Sequence, residues 1–149
     1  MILNEYETTY IVRPDLTDDI MTKLTSKFEQ IIADNSGTML VAEDWGKRKL
    51  AYLIRRHTRG HFVYLNYCGP GNIVRELERN LGNEDDLLRY LTVQIESSVD
   101  VESRRVLAEE RRNQRVERMA ALKAEEEAEA RYRAEAEDAE DDAPIEEVE

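Results

Sequence analysis

Two short apolar stripes at helical spacing, each set between segments that alternate residue by residue, constrain this chain more than any other feature. Ile20, Leu24, Phe28 and Ile31 recur at intervals of four, four and three. That is one face of an amphipathic helix, predicted over 17–33. Asp15 and Thr17 are candidate N-caps, Asp18 and Asp19 suit a first turn, and Asn35-Ser36-Gly37 stops the helix. Ile73, Leu77 and Leu81 form a second stripe, with Gly82 expected at C′. Around these lie four strand-like segments. Residues 6–12 are aromatic and β-branched. Residues 38–54 alternate through Met39, Val41, Leu50, Tyr52 and Ile54, with a bend or bulge expected at Gly46. Residues 61–68 follow a basic connection, 55–60. Leu91, Val93 and Ile95 alternate with polar residues in the last strand.

Helices with one apolar stripe each need a shared core, so both must cover the same face of an antiparallel sheet. The order strand, helix, strand, strand, helix, strand predicts an α+β, ferredoxin-like βαββαβ sandwich with spatial strand order 4-1-3-2. The long second strand then lies on an edge, and the other sheet face carries no helix. Alternation sends Val63, Leu65 and Tyr67 into the core. It leaves Phe62 and Tyr64, with Ile11 by the same parity, on the open face.

Charge divides the chain further. Its net charge of −12 separates into −4 over residues 1–100, +3 over 101–123 and −11 over 124–149. The expected organisation is a domain at 1–100, a basic helical extension at 101–123 and an acidic, disordered tail at 124–149. Ala, Glu and Arg dominate 102–137, where Val106, Leu107, Val116, Met119 and Leu122 make no sustained stripe. The single cysteine, Cys68, cannot form an internal disulfide, and no Cys/His cluster has metal spacing. The first residues have no basic start followed by an apolar run, and no apolar stretch approaches the ~20 residues of a membrane span. The expectation is a soluble, cytoplasmic protein with no membrane partner, no metal and no cofactor.

Catalysis is hard to assemble from these residues. The two histidines, His57 and His61, sit among arginines with no carboxylate orienter, and Gly69-Pro70-Gly71 lacks the lysine and spacing of a phosphate loop. No catalytic residue and no small-molecule substrate are expected. Binding is the better prospect. Residues 47–59 hold Lys47, Arg48, Lys49, Arg55, Arg56 and Arg59 and no acid, half of the basic residues of the first 100. Such a patch suits nucleic-acid phosphates, although a solvated edge that must resist aggregation also favours charge. Arg55, Arg56 and Arg59 are the leading RNA-contact candidates, with Lys47 and Arg89 behind them. Glu43 and Asp44 before Gly46, and Arg48 and Lys49 after it, give the edge both signs, as a protein-docking strand would have.

Three blocks carry a resemblance: 5–14 (EYETTYIVRP), 44–52 (DWGKRKLAY) and 60–63 (GHFV). They resemble bacterial small-subunit ribosomal protein six, over about residues 3–98. Leu53 departs from the proline that many relatives carry there. The resemblance implies the same sandwich fold and a structural role in the small ribosomal subunit. It also implies binding to the central domain of 16S ribosomal RNA as a heterodimer with small-subunit ribosomal protein eighteen, the partner meeting the second strand around Glu43, Asp44, Arg48 and Lys49.

Two other classes compete. Arg59-Gly60-His61-Phe62-Val63-Tyr64 loosely echoes the basic–glycine–aromatic motif of RNA-recognition domains, so a free single-stranded-RNA module is the alternative. It would depend on Phe62, which a platform protein would not. A small acyl-phosphate hydrolase on this fold would need an anion cradle at Arg13-Pro14-Asp15, a poor one.

Overall fold

A computed structural model describes residues 2–141 of the chain, and side chains as far as residue 136. Seven elements follow one another: β1 (Asn4–Val12), α1 (Asp18–Asp34), β2 (Thr38–Ile54), β3 (His57–Gly69), α2 (Asn72–Gly82), β4 (Leu87–Glu96) and α3 (Val101–Asp141). The four strands form one antiparallel sheet in the order β2-β3-β1-β4. This is the expected ferredoxin-like sandwich, with β2 on an edge.

Local chemistry explains the boundaries. Thr17 caps α1 by accepting from the Ile20 N–H at 3.4 Å, and Asp18 and Asp19 occupy the positive end of the helix dipole. At the other end Ser36, not Gly37, takes the left-handed conformation (φ 62°). Gly37 serves a different need. A methyl group there would overlap the Ile73 side chain and come within 2.7 Å of Ile32. Gly82 is likewise not the residue beyond α2: it is helical, and Asn83 forms the cap with φ −87°.

The core lies between the two helices and the sheet. Tyr10, Val12, Leu65 and Tyr67 face Phe28, Ile32, Ile73, Leu77 and Leu81, all fully buried. Tyr10 meets Phe28 edge-on at 5.1 Å between ring centres. The buried face of α1 is Met21, Leu24, Phe28 and Ile32, rotated from the expected stripe, and Ile20 is 41% exposed. Met21, 6% exposed, is buried where Ile20 was expected to be. Beneath β1, the buried Thr8 hydroxyl lies 2.9 Å from the Tyr67 hydroxyl and 2.8 Å from that of Thr92. Burial pushes the Tyr67 phenol up to about 12, so it stays neutral in this network. The Cys68 thiol, also buried, is pushed up to about 11, which makes it a packing group rather than a nucleophile.

Two departures bear on function. The connection 55–60 is not a loop. Ile54 pairs with His57, and Arg55 (φ 47°) and Arg56 (φ 68°) alone make the turn. Both central residues are left-handed, as a two-residue primed hairpin requires, and Arg59 belongs to β3, where it lies opposite Lys49. In β4, Leu91 and Val93 do not enter the core but lie on the open face, 64% and 46% exposed. The register explains this: Thr92 lies opposite the buried Thr8 and Tyr90 opposite the buried Tyr10, so the helix-covered side takes those residues.

At Gly60 side chains of β1 and β2 close over the β3 backbone on the open face. A methyl group there would overlap Ile11 Cγ2 and approach Leu50 Cδ2 to 3.3 Å. Gly60→Ala is therefore expected to destabilise the domain by about 1–3 kcal/mol through overpacking, read from urea unfolding. A midpoint equal to wild type would show that Ile11 and Leu50 yield freely.

The compact unit extends through Glu109. Asp100 caps α3, its carboxylate accepting from the Ser103 N–H (3.0 Å) and hydroxyl (2.7 Å), which hold the carboxyl below its ordinary range. Arg104 then reaches the buried Glu5 of β1 at 3.1 Å. Residues 110–141 form a separate helical unit, rich in strong helix formers and carrying an i,i+4 pair, Arg133–Glu129, at 2.9 Å. The stretch expected to be an acidic, disordered tail is helical as far as Asp141, and its remainder, 142–149, lies outside the described residues. Among the described residues no helix is long and apolar enough to cross a membrane, and no group of three metal-ligating side chains occurs.

Candidate nucleic-acid and partner interface

The β2–β3 hairpin carries eight of the nine candidate residues. Its geometry is set by irregular pairing. Register shifts fall between Met39 and Val41, between Asp44 and Gly46, and between Lys49 and Ile54. Each puts extra residues into the edge strand, which must then coil around β3. Gly46 (φ 76°) accommodates the second shift, with its N–H donating to Asp44 Oδ1 at 2.7 Å.

Around this bulge the side chains form a connected set. Trp45 stacks on Tyr64, 5.1 Å between centres and 9° from parallel. Its indole N–H donates to Glu43 at 3.0 Å. The Arg48 guanidinium lies 5.5 Å from the Trp45 ring centre, and the Tyr64 hydroxyl donates to Glu7 at 2.6 Å. Asp44 Oδ1 lies 2.5 Å from His61 Nε2 on the opposite face. The partner-strand candidates therefore do different things. Glu43, Asp44 and Arg48 are tied into the edge, whereas Lys49 pairs with no carboxylate among the described residues.

The RNA candidates divide as well. Arg55 and Arg56 occupy the turn, and Arg55 Nη1 donates to the Asp85 carbonyl at 3.4 Å. Lys47 and Arg59 project from the ladder, opposite His61 and Lys49. Arg89 lies on β4, opposite Ile11. It donates to the Tyr52 hydroxyl, with its guanidinium 5.4 Å from that ring centre. Arg55 and Arg89 line one concavity of about 370 Å³, together with Leu81, Glu84 and Tyr90. Sequence reasoning missed the Arg89–Tyr52 contact and the open-face row of Leu91 and Val93. The row follows from strand register, and the contact from the shift between Lys49 and Ile54, within which Tyr52 lies; the sequence holds no local signal for either.

The sequence family described as ribosomal protein S6 matches residues 5–94. A small ribosomal subunit protein bS6 from Desulforapulum autotrophicum is 41% identical over 98 residues, 66% of this chain and 63% of that one. Another, from Citrifermentans bemidjiense, is 44% identical over 94 residues, 63% of this chain and 70% of that one. The match thus spans just under two thirds of the first relative's length and somewhat more of the second's. Among solved structures, the 30S ribosomal protein S6 of Thermotoga maritima shares the fold, with a TM-score of 0.60 at 22% identity, over 75% of this chain and 98% of that one.

Proposed function

This chain belongs to the ribosomal protein S6 family, and from that premise we propose that it is a structural component of the small ribosomal subunit. In this reading it works in the cytoplasm, catalyses nothing, and binds the central domain of 16S ribosomal RNA together with small-subunit ribosomal protein eighteen. The observation that carries the RNA part is the β2–β3 hairpin. Lys47, Lys49, Arg56 and Arg59 crowd into it, none of them paired with a carboxylate among the described residues. In a domain that is net acidic, such a cluster is a site for counterion release on phosphates. Glu43, Asp44 and Arg48, along the exposed edge of β2, support the protein-partner part.

The open face speaks against a free single-stranded-RNA module. Trp45 covers the Tyr64 ring, and Glu7 takes its hydroxyl, so one of the two open-face aromatics of β3 is already engaged. Sucrose-gradient fractionation of cell lysate tests the proposal. The protein should co-migrate with the small subunit and resist moderate salt. Migration at the top of the gradient, with RNA binding abolished by Phe62→Ala, would favour the free module instead.

A further inference from the structure

The bulge at Gly46 decides which of the hairpin's cations lie on which face. Residues directly opposite in an antiparallel ladder share a face. Asp44 lies opposite Val63, which is in the core, so Asp44 is on the helix-bearing face. With regular alternation Arg48 would share that face, and Lys47 and Lys49 would lie on the other. The extra residue between Asp44 and Gly46 reverses this. Beyond it, Arg48 lies opposite Gly60 on the open face, while Lys47 pairs with His61 and Lys49 with Arg59 on the helix-bearing face. The contacts agree: Arg48 covers Trp45, and His61 reaches Asp44.

The Lys49–Arg59 pair is unfavourable in the isolated chain. Like charges directly across a ladder repel, and no carboxylate relieves them among the described residues. Lys47 stands two residues along the same strand face, and Arg56 lies in the turn at the end of the hairpin, where its backbone is left-handed. An anion laid along this row would turn repulsion into binding. The open-face cations are different: Arg48 and Arg89 are already spent on Trp45 and Tyr52.

We propose that the RNA phosphate backbone is held on the helix-bearing face of the hairpin by Lys47, Lys49 and Arg59, with Arg56 at the tip. This rests on the ribosomal RNA reading above and sharpens it. Lys49 moves from the partner strand to the RNA surface, and Arg89 leaves the RNA set.

The test is binding of the full chain, with its partner protein, to a central-domain 16S fragment across a salt series. Lys47→Gln/Lys49→Gln/Arg59→Gln should flatten the slope of log affinity against log salt by about two to three units. Arg89→Gln should leave the slope unchanged. Lys49→Arg/Arg59→Lys, which keeps the charge, should also leave it unchanged. An unchanged slope in the triple variant, or an equal loss in Arg89→Gln, overturns the proposal while the RNA reading stands. Absence of wild-type binding at every salt concentration overturns the RNA reading itself. Should the triple variant melt early, lysine acetylation of the wild-type complex decides. Bound RNA should protect Lys47 and Lys49 but not the exposed Lys23 of α1, and equal labelling of all three would overturn the assignment.

Discussion

Arg104→Ala is expected to destabilise the folded domain by several kcal/mol, although the residue lies in the helix that follows the sandwich. Glu5 is 3% exposed. Its Oε1 accepts from Asn66 at 3.1 Å, but its Oε2 has no hydrogen-bond partner. The Arg104 guanidinium, 3.1 Å away, is what compensates that oxygen, and it also lies 3.6 Å from Glu96. Removing one member of a buried pair strands the other charge, which costs roughly 3–5 kcal/mol. Arg104 keeps some contact with water, so the lower part of that range applies. Glu5→Leu/Arg104→Leu should recover most of the loss, because no charge is then left buried. Urea unfolding of the single and double variants checks this. A single variant within about 0.5 kcal/mol of wild type would class the pair with ordinary surface bridges. The same logic separates two truncations. A chain ending after Asp100 loses Arg104 and should be destabilised alike. One ending after Ala124 keeps the whole compact unit and should melt with the full chain.

The order of elements was legible because each depends on neighbours a few residues apart. Periodicity in 20–31 and 73–81 gave the helices, alternation gave the strands, and the need for a shared core gave the sheet order. Thr17 and Gly46 were legible for the same reason, as a cap and a bulge are local devices. What escaped depends on register. Arg55-Arg56 does not look like a primed turn, since neither residue favours φ > 0; the pairing of Ile54 with His57 imposes it. The apolar alternation of Leu91 and Val93 was visible, but which face it occupies depends on Thr8 and Tyr10 across the ladder. The Arg104–Glu5 pair joins residues far apart in the chain, with nothing nearby to announce it. The candidate site suffered in the same way. Lys47, Arg48 and Lys49 read as one basic run, and a single bulge exchanges the faces on which Arg48 and the two lysines lie.

Neutralising the β2 edge should make the isolated protein associate with itself. An edge strand exposes unpaired N–H and C=O groups, and proteins guard such strands with charge and bulges. β2 uses both, with three register shifts and the Glu43, Asp44 and Arg48 side chains. Glu43→Val/Asp44→Ala/Arg48→Val removes the charges and releases the Gly46 N–H from Asp44 and the Trp45 indole from Glu43. The bulge then loses its local anchors and the strand its repulsion, so a second copy can pair with it. Lys49 is retained, which keeps the Lys47–Lys49–Arg59 row intact. Sedimentation velocity should show dimers and larger species that wild type, run alongside, does not form. Pairing with small-subunit ribosomal protein eighteen should weaken by about 2 kcal/mol or more, roughly 30-fold, if these charges sit in the interface. The polar set Glu43→Gln/Asp44→Asn/Arg48→Gln separates charge from folding. Its amides can still accept from Trp45 and Gly46, so it should stay monomeric while losing much of the same affinity. If both sets remained monomeric and paired normally, the partner would have to bind elsewhere, and the open-face row of Leu91 and Val93 would be the next surface to change.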